Sequence, residues 1–247
     1  MEIHFSELWS SMGFPVRAVV VLLTLQAVAC VAVMIDRIVM LQQSGARAKR
    51  FAATVQPAFE AERYEQALAE SESAQPSHLA KYFAAGLRVF LARIAAGDDP
   101  RRAADLAKRA LERKGDAISR ELNRGMNVLA STGSTAPFVG LLGTVLGIIN
   151  AFKLIAASGS GGIGTIGAAI GEALVVTGYG LVVAIPSVLV FNWLSSRIAD
   201  YEAGLLNAGS ELVDRLESGS RGSHVQREPD AAHGRSLGAS RPAGMAR

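Results

Sequence analysis

Three long apolar runs constrain what this chain can fold into more than any other feature of its sequence. They extend from Ala18 to Ile35, from Gly133 to Ala157 and from Ile163 to Leu194, and their only charged side chains are Lys153 and Glu172. A helix needs about 20 mainly apolar residues to cross a hydrocarbon core about 30 Å thick. The sequence therefore predicts an all-α, polytopic membrane protein with three transmembrane helices.

The first run has an alternative interpretation as a cleaved secretory signal, because AVAC at 27–30 resembles a cleavage or lipid-attachment site. The residues before Arg17 include Glu2 and Glu7, whereas a signal peptide begins with positive charge. We therefore expect a retained membrane helix. Cys30, the only cysteine, can form no internal disulfide and gives no metal cluster.

Lysine and arginine are distributed unevenly around the three runs. Fifteen lie in residues 41–130 and seven more follow from Arg197 onward, whereas the opposite flank has only Arg17 and Lys153. Because positive side chains favour cytoplasmic loops, the amino terminus and the loop 158–162 are predicted outside the membrane, and the long loop and the tail in the cytoplasm. The net charge of +3 is therefore a topology signal, and no basic stripe with interleaved aromatics predicts nucleic-acid binding.

These features divide the chain into eight predicted segments. In order they are a periplasmic amino terminus (1–16), transmembrane helix one (17–41), a cytoplasmic helical loop (42–130), transmembrane helix two (131–157), a periplasmic loop (158–162), transmembrane helix three (163–195), a cytoplasmic helix (196–217) and a disordered tail (218–247). Helices two and three are both predicted to extend into the cytoplasm, because apolar residues keep helical spacing beyond the membrane runs.

The long cytoplasmic loop is rich in helix-forming residues, with predicted breaks near Pro57, at 75–76 and at 97–100. Asp98 or Asp99 is expected to cap a helix entered at Pro100. From there the sequence has no strong breaker before the second apolar run, so it predicts one continuous helix into the membrane.

Small residues recur in the second and third membrane helices. Gly143 with Gly147, and Gly167 with Gly171, have the GxxxG spacing that lets helix backbones approach closely. We expect these four glycines to pack helices together in a tight assembly.

Glu172 is the residue that most needs a function, because a carboxylate in hydrocarbon is costly. If Lys153 and Ile163 mark the outer helix ends, Thr144 and Glu172 share one level, and Thr177 lies deeper. Polar groups at stepped depths can relay a proton through water. The alternative is a structural glutamic acid bonded to a neighbouring backbone or paired with another subunit.

The segments STGSTAPFVGLLGTVLGIINAF (131–152) and GEALVVTGYGLVVAIPSVLVFN (171–192) resemble the ExbB, TolQ and MotA proton-channel family. GSTAPFVGLLGTV is most similar to the ExbB branch, and three membrane helices favour ExbB or TolQ over four-helix MotA stators. The resemblance is specific over roughly residues 125–205, whereas Lys153 and the glycine-rich loop SGSGG depart from the family pattern.

The resemblance implies a homopentamer in a Gram-negative inner membrane, enclosing the single membrane helices of an ExbD- or TolR-like dimer. Glu172, Thr144 and Thr177 match the residues that face the proton path in the family, and an aspartate of the partner helix completes that path. Protons are the coupling ion and no other cofactor is implied. The implied function is a motor that delivers work to a TonB- or TolA-like periplasm-spanning partner, energising outer-membrane transport or envelope processes.

Two rival functions remain open from the sequence. The first is a passive membrane scaffold in which Glu172 is structural. The second is an enzyme, which is disfavoured because all four histidines lie outside the apolar runs and no nucleophile, base and orienting group can be paired.

Overall fold

A computed structural model describes residues 9, 12–74, 77–158 and 163–225, and the regular elements in them are all α-helices. We number six helices in chain order: α1 (Phe14–Glu60), α2 (Tyr64–Ser73), α3 (His78–Ala95), α4 (Pro100–Leu122), α5 (Met126–Ser158) and α6 (Ile163–Val225). The predicted all-α class is confirmed.

Three of these helices, α1, α5 and α6, are long and apolar enough to cross a membrane, as predicted. Within their most apolar windows only 17–28% of the residues are buried. A soluble chain rarely leaves such continuous apolar surface bare. These helices therefore require lipid or other protein around them.

The chain divides into two compact units, the first formed by Met1–Arg47 with Asp116–Gly204 and the second by Ala48–Gly115 with Leu205–Arg247. In the first unit, apolar side chains of α1, α5 and α6, with Met12 just before α1, form one core. Its buried members are Met12, Val16, Val19, Leu23, Ala136, Val176, Val183 and Ala184. This core fixes the three membrane-type helices against one another.

The second unit is held by aromatic and small residues. Phe83 of α3 contacts the rings of Phe51 and Phe59 edge to face, with centroids 5.9 and 5.6 Å away. A methyl group on Gly86 would lie 2.8 Å from Leu111, so α3 and α4 approach closely there. Burial, and then the charge of Glu112, raise the pKa of Tyr82, which packs against α4 and α6.

The break between α3 and α4 lies where the sequence predicts it. Gly97 has a positive φ of 83°, which favours glycine, and the Asp99 carboxylate accepts a hydrogen bond from the Arg101 amide at 3.2 Å. Asp99 is therefore the capping residue of the two candidates. Near Pro57 helix α1 instead continues to Glu60, and the predicted break at 75–76 lies outside the described residues.

The structure divides the helix that the sequence predicts as continuous from Arg101 into the second apolar run. Helix α4 ends at Leu122 and α5 begins at Met126, with Gly125 at a φ of 82° between them. Arg37 of α1 donates to the carbonyl oxygens of Glu121 and Leu122 at 2.7 and 3.3 Å. The break is stable because this buried guanidinium occupies carbonyls that the next helical turn would otherwise use.

Helix α6 continues through residues 218–225, the first part of the tail that the sequence predicts as disordered. Adding a residue to an existing helix costs far less than starting a new one, so a long helix can outlast its last packed turn. The remainder of the predicted tail, 226–247, lies outside the described residues.

Candidate functional site

Glu172 lies near the beginning of α6 and its side chain is half-buried. The next residue, Ala173, is 1% exposed and faces Gly147 of α5. Within the described part of one subunit, no hydrogen bond or ion pair holds the Glu172 carboxyl. A carboxyl without an internal partner in an apolar helix must find water, a proton or another chain.

The contacts between α5 and α6 define which residues lie at one level. A methyl group on Gly143 would lie 2.5 Å from Val176, and one on Gly147 would lie 2.9 Å from the Ala173 methyl. Thr144 is therefore level with Val176, about four residues or roughly 6 Å from the level of Glu172. The prediction that Thr144 and Glu172 share one level was wrong.

The reason for this error is the length of α5. The helix does not end at Lys153, as the prediction assumed, and continues to Ser158. In an antiparallel helix pair, adding five residues to the end of the first helix shifts its contacts on the second helix by about five residues. Thr144 therefore faces a residue about one turn beyond Glu172. The threonines Thr144 and Thr177 share a level instead, and Glu172 lies towards the α5–α6 connection.

The two threonine hydroxyls make different hydrogen bonds. The Thr177 hydroxyl donates across the helix pair to the carbonyl oxygen of Gly140 at 2.9 Å. The Thr144 hydroxyl donates to Leu141 of its own helix at 2.7 Å. Each hydroxyl oxygen keeps acceptor capacity for a water or a proton donor. Thr177 also joins α5 to α6, which the sequence did not indicate.

The four predicted packing glycines divide into two pairs. Gly143 and Gly147 lie against α6, with no room for a larger residue. A methyl group on Gly167 or Gly171 would meet no atom within 4 Å in the described part of the subunit. The second GxxxG pair therefore leaves a smooth, open strip on α6 that can receive another chain or lipid.

Sequence reasoning missed two further features of this region. Gly140 and Gly180 make a closer backbone approach than either GxxxG pair, because a methyl group on Gly180 would lie 2.7 Å from the Ala136 carbonyl oxygen. Gly140 and Gly180 belong to different helices, so no spacing within one helix indicated that they meet. The hydroxyls of Thr24 and Tyr179 lie 3.1 Å apart and join α1 to α6.

A cation also lies closer to the level of Glu172 than the sequence indicated. Val16 of α1 approaches the same position on Gly147 that Ala173 does, and Arg17 is its neighbour. The Arg17 guanidinium stacks over Trp9 with 5.7 Å to the ring centroid. Arg17 therefore belongs to the layer of the candidate site, although no ion pair joins it to Glu172 in the described residues.

The described residues contain no group of three or more His, Cys, Asp or Glu side chains that could hold a metal. The arrangement instead brings one carboxyl and two hydroxyls to neighbouring levels of a close-packed apolar helix pair. Such groups can bind and pass protons.

Comparison with known proteins gives the family. The model for the MotA/TolQ/ExbB proton channel family matches residues 74–205, which is more than half of the chain and includes Thr144, Glu172 and Thr177. The chain belongs to this family. The matched segment also includes α3 and α4, so the relationship extends beyond the membrane-type helices.

Several relatives are named biopolymer transport protein ExbB, which supports the ExbB branch of the family. One from Xanthomonas campestris is 43% identical over 117 residues, covering 47% of this chain and 46% of its own. One from Salmonella typhimurium is 40% identical over 103 residues, covering 42% of each chain. One from Neisseria gonorrhoeae is 53% identical over 78 residues, covering 32% of this chain and 36% of its own.

The match spans less than half the length of these relatives. Family membership and the three apolar helices nevertheless identify a multi-pass inner-membrane protein related to proton channels and transport. The names of the family and of these relatives describe proton channels and biopolymer transport.

Proposed function

We propose that this chain is the proton-conducting subunit of an inner-membrane motor that converts proton motive force into mechanical work on a periplasmic partner. The observation that carries the proposal is Glu172, a half-buried carboxyl in an apolar helix with no internal partner in the described residues. One charge moving through 100 mV releases about 2.3 kcal/mol, enough to bias a conformational step.

Glu172 accepts and releases the proton, and the hydroxyls of Thr144 and Thr177 support the relay about one helical turn further along. Their hydrogen bonds to backbone carbonyls leave the oxygen lone pairs for relay water. An acidic group on a single-helix partner of the ExbD or TolR kind completes the path. Protons are the coupling ion, and the chain needs no other cofactor.

The working assembly is a homo-oligomer, most simply a pentamer, around a dimer of that partner. The bare apolar faces of α1, α5 and α6 support such an assembly, because they must be covered by lipid or protein. The open strip at Gly167 and Gly171 supports a close contact with another chain at the level of the path. A TonB- or TolA-like protein that spans the periplasm receives the work.

The distribution of Lys and Arg supports an amino terminus in the periplasm and a carboxyl terminus in the cytoplasm. In this orientation residues 42–130, and α6 beyond about Arg197, lie in the cytoplasm. Glu172 then lies nearer the periplasmic side than the two threonines do, so protons reach it first.

The test is Glu172→Gln, which keeps the size and hydrogen-bonding capacity of the side chain but cannot exchange a proton near neutral pH. We expect loss of proton flux in vesicles that hold the complex with its partner, while the native mass of the oligomer is unchanged. Glu172→Asp, which keeps the acid on a shorter side chain, should retain part of the flux. Flux equal to the wild type in Glu172→Gln would favour the passive scaffold instead.

A further inference from the structure

A basic hollow lies in the second unit, between α2, α3 and α4, and is separate from the proposed proton path. Its walls carry Lys81 and Arg88 of α3, Lys114 of α4 and Glu72 of α2. The hollow is a surface depression open to solvent with a volume of about 640 Å³, which is more than a single phosphate or carboxylate requires. Three cations and one acid leave a surplus of positive charge around it.

The three cations form a triangle fixed by helix packing. Lys81 and Arg88 are seven residues apart on α3, so they lie on one face about 10 Å from each other along the axis. Gly86 faces Leu111 and Tyr82 approaches Gly115, which places Lys114 of α4 at a level between the two α3 cations. With their side chains extended over the surface, these cations match a ligand whose acidic groups are similarly spaced.

The part of α3 between its two cations carries only small side chains in the hollow. Ala84 and Ala85 are the only lining residues between Lys81 and Arg88 on α3, and they allow a backbone to approach closely. Of the charged side chains, Arg88 pairs with Glu72 at 2.6 Å, and both are well exposed. Such a surface pair contributes little stability, so an incoming carboxylate can replace Glu72 at low cost.

We propose that this hollow is a docking site for an acidic segment of a partner protein, with carboxylates spaced about two helical turns apart. The chain's own carboxyl-terminal residues are poor candidates, because residues 219–247 contain five arginines and only two acidic side chains. Charge complementarity therefore favours another protein. The location of that partner in the cytoplasm rests on the proposed topology.

The experiment measures fluorescence polarisation of a labelled helical peptide with two glutamates two turns apart, added to the purified full-length complex at low salt. An isomeric peptide has the same composition but carries the glutamates on opposite faces. We expect the first peptide to bind more tightly than its isomer, with an affinity that falls as salt is added. Equal binding of the two peptides would show only non-specific attraction and would overturn the proposal.

Charge reversal identifies the residues responsible. The double variant Lys81→Glu with Lys114→Glu should weaken binding about tenfold. The matched control, Lys108→Glu with Arg109→Glu, makes the same charge change at exposed positions of α4 outside the hollow and should bind as the wild type does. An equal loss in the control would overturn the assignment.

Two further measurements exclude other occupants. Full displacement of the peptide by equimolar pyrophosphate would indicate a small-phosphate site. If the Lys81→Glu, Lys114→Glu variant lost binding to anionic vesicles but kept its binding to the peptide, the hollow would be a lipid-binding surface. Either result overturns the proposal. Proton flux of the Lys81→Glu, Lys114→Glu variant should be unchanged. Absence of flux in the wild type would refute the proposed channel function and leave the peptide result intact.

Discussion

At the scale of single residues, the site depends on how each polar group is satisfied in an apolar environment. Glu172 has no internal partner in the described residues, Thr144 bonds its own helix, and Thr177 bonds the facing helix at Gly140. These differences give the three residues different physical roles. The Glu172 carboxyl is left for a partner outside the described residues, whereas the Thr177 hydroxyl joins α6 to α5.

The two threonines should therefore respond differently to loss of the hydroxyl. Thr177→Val leaves the Gly140 carbonyl without its interhelical donor, so it should destabilise the protein by about 0.5–1.5 kcal/mol and lower proton flux. Thr144→Val removes only a bond within α5 and should lower flux with little change in stability. Thermal unfolding of the complex in detergent, measured beside vesicle flux, tests this; equal destabilisation by both would contradict it.

At the scale of elements, α5 and α6 depend on two glycines that allow their backbones to touch. A methyl group on Gly140 would lie 3.3 Å from the α-carbon of Gly180, and one on Gly180 would lie 3.1 Å from the α-carbon of Gly140. This close approach brings Thr177 within reach of the Gly140 carbonyl and fixes the levels of the polar groups. The packing of α5 against α6 therefore determines the geometry of the site.

Gly180→Ala should separate the helices, because the new methyl group would lie 2.7 Å from the Ala136 carbonyl oxygen. We expect a loss of stability of about 1–3 kcal/mol and a loss of flux. Gly178→Ala is the matched control, since a methyl group there would have no neighbour within 4 Å in the described part of the subunit. If Gly178→Ala instead breaks the oligomer while thermal unfolding of the subunit is unchanged, that position contacts a second chain.

The junction between α4 and α5 depends on Arg37, which is 8% exposed and also pairs with Asp36. Arg37→Met should destabilise the protein by about 1–3 kcal/mol, because one buried and one part-buried carbonyl lose a charged donor. Arg37→Lys should restore only part of this, since an ammonium lacks the forked geometry of the guanidinium.

Arg124→Met is the control for this prediction, because Arg124 lies in the same junction but is exposed. Differential scanning calorimetry of the detergent-solubilised protein measures the difference. Equal melting temperatures for Arg37→Met and Arg124→Met would show that Arg37 does not stabilise the junction.

At the scale of the whole molecule, the bare apolar faces of α1, α5 and α6 indicate a protein that functions inside a membrane, and they support the proposed assembly. The uneven distribution of Lys and Arg determines the proposed orientation. Both properties belong to the complete chain, and each can be tested without knowledge of the partner.

The proposed topology predicts which engineered cysteines react from outside the inner membrane. In a Cys30→Ala background, Gly161→Cys should react with a membrane-impermeant maleimide added to spheroplasts, and Ala96→Cys should react only after lysis. Ala96 is preferred to Gly97, because a side chain at the positive φ of Gly97 would be strained. The reverse labelling pattern would overturn the orientation.

Removal of residues 226–247 should leave assembly and proton flux unchanged, because their composition is too polar to form a packed core. Ending the chain after Val225 retains all of α6. Native mass and vesicle flux measure the outcome. Loss of the complex would show that this segment takes part in assembly.

The sequence alone determined the features that depend on local composition. Three apolar runs predicted three membrane-type helices, and the turn at 97–100, with Asp98 or Asp99 as the cap, predicted the start of α4. A lone Glu172 among apolar residues predicted the candidate site. Each of these follows from the chemistry of neighbouring residues, because hydropathy, capping and backbone freedom act over a few positions.

Only the tertiary structure decided which residues meet. The level of Glu172 relative to Thr144 depends on where α5 ends, and the helix continues to Ser158 with no sequence signal at Lys153. At the break beside Gly125, two carbonyls accept hydrogen bonds from Arg37, more than eighty positions away along the chain. Contacts between distant segments arise from packing of whole helices, and the pattern within any one helix does not contain them.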